Sequence, residues 1–118
     1  MTARIMLVDD DPLVRSGLRL LLGGDAELSI VAEAADGQEA LERQSADPVD
    51  MVLMDLRMPR MDGIAATAAL KQLADPPNVI VLTTFDADDY VVRALAVGAD
   101  GFLLKDTPPD EIVHAIKS

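Results

Sequence analysis

Four places in the chain carry groups able to do chemistry together: Asp9, Asp10 and Asp11 in a row, Asp55, Thr83 with Thr84, and Lys105. Each directly follows a short apolar run: Ile5 to Val8, Met51 to Met54, Val79 to Leu82, and Phe102 to Leu104. Taken singly, an acidic triplet is ordinarily a solvated turn, a threonine a strand-end hydroxyl and a lysine a surface charge. Convergence changes that reading. Carboxylates brought within a few ångströms repel and raise one another's pKa unless a divalent cation lies between them. Mg2+ suits such an oxygen set, because it can take one or two carboxylates and keep positions for water and phosphoryl oxygens. A remaining carboxylate could attack phosphorus to give an acyl phosphate, with Lys105 as cation and Thr83 as hydrogen-bond donor.

The elements that must position these groups can be read from the same sequence. The four runs are short, apolar and without alternation, which predicts strands buried on both faces. A fifth run, Leu28 to Ala34, is interrupted by Ser29 and Glu33 and predicts an edge strand with a wetter side. Helices fall between the runs. Asp11-Pro12 reads as an N-cap with proline at the first helical position, and Val14, Leu18, Leu21 and Leu22 form a stripe ending at Gly23-Gly24. Asp36 precedes a helix over 37–45, and Ile64 to Leu73 predicts a third before Pro76-Pro77. Asp86 caps a fourth helix ending near Gly98, and Thr107 with Asp110 has capping-box spacing for a fifth. Five strand-then-helix units give an α/β, doubly wound parallel sheet with helices on both faces. Parallel strands all end at one edge, where open sheets of this kind bind ligands. That edge is where the aspartates, threonine and lysine meet.

Composition narrows the function classes. The chain has 118 residues, 10 Lys plus Arg, 21 Asp plus Glu and a net charge of −11, which fits one domain and argues against direct DNA binding. It has no Cys and a single His, which excludes a disulfide framework, a thiolate metal site and a His-rich zinc centre. His114 has no fixed base or acid beside it in sequence and is given no phosphotransfer role. Neither a P-loop nor a Gly-rich dinucleotide fingerprint follows any run, so nucleotide binding is not expected. No run is long enough for a signal peptide or a membrane span, and a cytoplasmic protein without membrane contact is expected. Met51, Met54, Met58 and Met61 read as core and loop filling.

Leu7-Val8-Asp9-Asp10, Leu53 to Pro59 with Met61-Asp62-Gly63, Leu82-Thr83-Thr84, and Gly101-Phe102-Leu103-Leu104-Lys105 together resemble a response-regulator receiver domain, CheY-like, across nearly the whole chain. The Asp-x-Pro-Leu-Val-Arg start of the first helix and the Gly-Phe-Leu-Leu-Lys-Asp ending are similar to the NarL/FixJ family. The resemblance implies a flavodoxin-like (βα)5 fold with strand order 2-1-3-4-5 over residues 1–118. It implies that Asp55 accepts a phosphoryl group from a phosphohistidine on a sensor histidine kinase. Asp9 and Asp10 would hold Mg2+, Asp10 directly and Asp9 through water, with Asp55 and the Arg57 carbonyl as further ligands. Thr83 would bond a phosphoryl oxygen, Phe102 would be the switch aromatic that turns inward, and Lys105 would pair with the phosphate. The domain would catalyse only its own phosphorylation and dephosphorylation. It would form a homodimer on phosphorylation, and would reach DNA through a separate C-terminal domain absent from this chain, making the whole a transcription regulator.

Some residues depart from the pattern. Asp106 follows the lysine where receivers at large carry proline, which removes the reason to expect a cis peptide there. Asp11 adds a third carboxylate and is read as the helix cap. Arg57 and Phe85 lie two residues past Asp55 and Thr83, and their bulk is expected to slow hydrolysis of the phosphoryl group. Tyr90, Arg93 and Asp100 form one candidate partner face, and Arg15 and Arg19 on the first helix another. Two other function classes fit part of the residues: a small aspartyl-phosphate phosphatase using Asp9-x-Asp11 with Asp9 as nucleophile, and an interaction module that works without phosphate.

Overall fold

The computed structural model describes residues 2–56, 58, 61–83 and 88–117. Strands and helices alternate: β1 (Ala3–Val8), α1 (Pro12–Gly23), β2 (Leu28–Ala34), α2 (Gly37–Ala46), β3 (Met51–Met54), α3 (Gly63–Lys71), β4 (Asn78–Thr83), α4 (Asp88–Ala96), β5 (Gly101–Leu104) and α5 (Pro109–Lys117). The five strands form one sheet in the order β2-β1-β3-β4-β5, with every neighbouring pair parallel. This is the expected doubly wound order, and each strand begins within two residues of its apolar run.

Side-chain alternation along the central strands divides the core between the two faces of the sheet. Met6, Val8, Val52, Met54 and Val79 pack with Ala40, Ala66 and Leu70 on the α2 and α3 side. Ile5, Leu7 and Leu53 pack with Leu22, Ile112 and Ile116 on the α1 and α5 side. Residues of this size contribute about 1.5–3 kcal/mol each on full burial, so the aliphatic core stands in for the missing aromatics. Met54 lies in the core, and Met58 and Met61 pack against it half-buried.

Helix starts follow the sequence. Asp11 accepts from the Leu13 N–H at 2.9 Å with Pro12 behind it, Asp36 accepts from Glu39, and Asp62 accepts from Ala65. Asp86 lies outside the described residues. The fifth helix begins later than its capping-box spacing suggests. It starts at Pro109, and the Pro108 carbonyl takes the bond from Ile112. The third helix ends two residues earlier than expected, because the Gln72 and Leu73 N–H groups bond the Ala69 and Leu70 carbonyls in a tighter turn; the Lys71 side chain reaches the Pro77 carbonyl and Asp100.

β5 differs from its reading as a strand buried on both faces. It is the last strand of the sheet, with a neighbour on one side, and Phe102 is 47% exposed. β2, at the other edge, exposes Val31 as an edge strand should. There is no cis peptide among the described residues, and no described helix is long and apolar enough to cross a membrane.

Candidate functional site

The sheet ladder runs one residue beyond the strands and sets the acidic groups side by side. The Asp9 N–H donates to the Ala34 carbonyl (3.1 Å), Asp55 to Val8 (2.9 Å), and Lys105 to Thr83 (2.7 Å). The residues after β1, β3 and β5, together with Thr83 at the end of β4, therefore share one register across the C-terminal edge of the sheet. Asp9, Asp55 and Thr83 are buried there, while Asp10 stands exposed at the rim.

Asp55 is held in place by a close-packed turn. The Gly63 N–H donates to the Leu56 carbonyl at 2.9 Å, and a Cβ on Gly63 would lie 2.1 Å from the Asp55 carbonyl oxygen. Only glycine lets α3 begin this close to the loop. Gly37 does the same from α2: its N–H bonds the Met61 carbonyl at 2.9 Å, and a Cβ there would lie 2.6 Å from that oxygen. The Met61-Asp62-Gly63 motif is thus a backbone-packing device with Asp62 as helix cap, a role its residue types alone do not disclose.

Lys105 reaches across three strands. Its Nζ lies 3.0 Å from Asp9 Oδ2 and 3.3 Å from Asp55 Oδ1. Asp9 Oδ1 accepts from the Asp11 N–H at 2.9 Å. One oxygen each of Asp9, Asp10 and Asp55 lies within 4.8 Å of the other two. The electrostatic strain falls on Asp55. Burial first, then Asp9 and, more weakly, Asp10 push its pKa up to about 6, against the pull of Lys105. Lys105 is also shifted upward, which for a cation favours the charged form: burial disfavours its charge, but Asp55 and Asp9 outweigh that and raise its pKa. Three carboxylates around one ammonium form a site short of positive charge, and its oxygen-only donors fit a small divalent cation.

Asp9, Asp10, Asp55 and Lys105 are thus brought together, with Thr83 buried on the adjacent strand end. Phe102 lies three residues before Lys105 on β5 and faces outward. Arg57, Thr84 and Phe85 lie outside the described residues. Other candidate groups have structural tasks. Asp11 caps α1, its side chain accepting from the Leu13 N–H. Arg15 and Arg19 are paired within the fold, Arg15 half-buried and Arg19 exposed. Both fold onto Glu33 of β2, with Nε distances of 2.9 and 2.8 Å, and their guanidinium groups lower the Glu33 pKa. Asp100 is also paired within the chain while staying exposed, accepting from Lys71 and from the Val79 N–H at 2.8 Å each. Tyr90 is half-buried against Leu56, Ile64, Val81 and Ala94, with Arg93 over its ring at 5.6 Å.

Comparison with known proteins agrees with this geometry. The sequence profile described as "Response regulator receiver domain" matches residues 5–117. The chain is 39% identical over 115 residues to the nitrate/nitrite response regulator protein NarP of Escherichia coli, covering 98% of this chain and 54% of NarP. It is 43% identical over 110 residues to the transcriptional regulatory protein YhcZ of Bacillus subtilis, covering 93% of this chain and 51% of YhcZ. The chain spans about half the length of the curated relatives it matches. Among solved structures, the signal receiver domain of a response regulator NarL from Mycobacterium tuberculosis superposes with a TM-score of 0.91 at 40% identity, covering 98% of this chain and 94% of that one.

Proposed function

The chain belongs to the response-regulator receiver family, and from that premise we propose that it is a phosphoacceptor switch whose acceptor is Asp55. The observation that carries this is the buried Asp55 carboxylate, 3.3 Å from Lys105 and grouped with Asp9 and Asp10. In the reaction an Asp55 oxygen attacks phosphorus, the P–N bond of a kinase phosphohistidine breaks, and the imidazole leaves. Asp55 becomes an acyl phosphate, and water later returns the carboxylate. Lys105 pairs with the phosphoryl charge, and the Thr83 hydroxyl donates to a phosphoryl oxygen.

Mg2+, when bound, neutralises phosphoryl charge and fixes the approach line. Asp9, Asp10, Asp55 and the Arg57 carbonyl are the proposed ligands. Both Asp9 oxygens have donors and Asp10 is exposed, in keeping with the proposal that Asp9 would hold the ion through water and Asp10 would ligate it directly. Arg57 and Phe85 are proposed to slow hydrolysis, which an unchanged phosphoryl lifetime in Arg57→Ala and Phe85→Ala would refute. Phe102 turning inward from its exposed position would relay phosphorylation to the surface, leading to homodimerisation and control of a DNA-binding domain in the whole, cytoplasmic protein.

Intact-mass analysis after incubation with acetyl phosphate, with and without Mg2+, tests the core of this reading. The expected result is one added phosphoryl group that needs Mg2+ and disappears in Asp55→Asn. A label that survives in Asp55→Asn but vanishes in Asp9→Asn would overturn the assignment. No label at all would favour a domain that works without phosphate.

A further inference from the structure

Resting on the reading of Asp9, Asp10 and Asp55 as a Mg2+ site, we infer that Arg15 is a positioning residue that holds the Asp9–Asp10 peptide in the orientation cation binding requires. Arg15 lies in the first turns of α1, with only 18% of its side chain exposed. Its Nη1 donates to the Asp9 carbonyl, and its Nε donates to Glu33 Oε1 on β2 at 2.9 Å. The other Glu33 oxygen accepts from Arg19 Nε at 2.8 Å, so the anchor is itself held. The Asp9 N–H meanwhile donates to the Ala34 carbonyl of the same strand. Both main-chain polar groups of Asp9 are therefore tied to β2, one directly and one through the guanidinium.

The consequence passes to Asp10. A peptide group is planar, so fixing the Asp9 carbonyl oxygen fixes the plane that contains the Asp10 N and Cα, and with it the point from which the Asp10 side chain departs. Asp10 is exposed and has no burial to hold it. The strut from Arg15 supplies what packing does not.

Charge alone gives the opposite expectation. A guanidinium beside the acidic turn repels a divalent cation, so removing it should tighten Mg2+ binding if Coulomb repulsion were its main effect. If its geometry matters more, removal weakens binding, by about tenfold on the usual scale for groups that orient metal ligands. Lysine separates the two effects. It keeps the charge but cannot make two divergent bonds from one planar fork.

The test is a Mg2+ titration of the chain followed by two-dimensional NMR, which reads affinity and folding together. We expect Arg15→Ala and Arg15→Lys each to raise the Mg2+ Kd about tenfold, and Glu33→Ala to raise it less. Arg4→Ala, which removes a distant 2.8 Å pair with Asp47, should leave Kd unchanged and controls for general loss of stability. In acetyl phosphate labelling, Arg15→Ala should need more Mg2+ for half-maximal rate yet reach the wild-type maximum. Arg15→Lys binding as tightly as wild type, or Arg15→Ala binding more tightly, overturns the inference while the phosphoacceptor reading stands. A wild type that shows no Mg2+-dependent shifts overturns both. Should Arg15→Ala fail to fold, Arg15→Lys and Glu33→Ala decide the matter.

Discussion

Asp55 carries a cost that its chemistry requires. A carboxyl with a folded-state pKa of about 6 and an ordinary value of 3.8 binds its proton more tightly in the native protein than in the unfolded chain. Its contribution to stability therefore falls as pH rises between about 4 and about 6, and stays low above that. In metal-free buffer, Asp55→Asn should be more stable than wild type by about 1–2 kcal/mol at pH 7, after allowing for solvent screening. That difference should close toward pH 4. Urea denaturation in EDTA at several pH values checks both statements, and a constant difference across that window would count against them. The acidic groups themselves are legible in the sequence, because parallel strands deliver whatever follows them to one edge. Arg15 is not, since its task depends on Glu33, a residue of a different element that only the folded chain places beside it.

Among the elements, α3 shows how tightly local packing controls the site. Gly63→Ala would put a methyl group 2.1 Å from the Asp55 carbonyl oxygen and 2.7 Å from the Leu56 Cα, both backbone atoms that cannot yield like a flexible side chain. A loss of about 2–3 kcal/mol is expected from such overpacking. Displacement of Asp55 should also slow phosphoryl uptake from acetyl phosphate at matched Mg2+. One turn further on, Thr67 is fully buried, and its Oγ1 has no hydrogen-bond partner among the described residues. Thr67→Val keeps the shape and removes the unsatisfied hydroxyl, so it should stabilise the protein by about 1 kcal/mol in chemical denaturation. β5 shows where reading elements from sequence falls short. Its apolar run looks fit for burial on both faces, yet a terminal strand has a neighbour on one side only, and Phe102 meets solvent.

At the scale of the whole molecule, the strand order follows from alternation of strands and helices together with the family resemblance, while the surface partners do not. Arg15, Arg19 and Asp100 read as partner-face groups, and each has a charged partner within the fold, because a charged residue's sequence position does not tell whether its partner lies outside the chain or across the fold. The net charge of −11 has a direct consequence for assembly. If two copies pair on phosphorylation, as proposed, they repel each other at long range, and salt screens that repulsion. Dimerisation of the acetyl phosphate-treated chain, followed by sedimentation, should therefore strengthen between about 50 mM and about 300 mM NaCl. Weakening over that range would mean that complementary charge pairs dominate the interface. The bridge from Lys105 to Asp9 spans 96 positions of the chain. On the ribosome, Asp9 and Asp55, the two carboxylates that Lys105 joins, are made long before the ammonium that reconciles them. A nascent chain thus cannot complete this charge cluster until Lys105 has emerged.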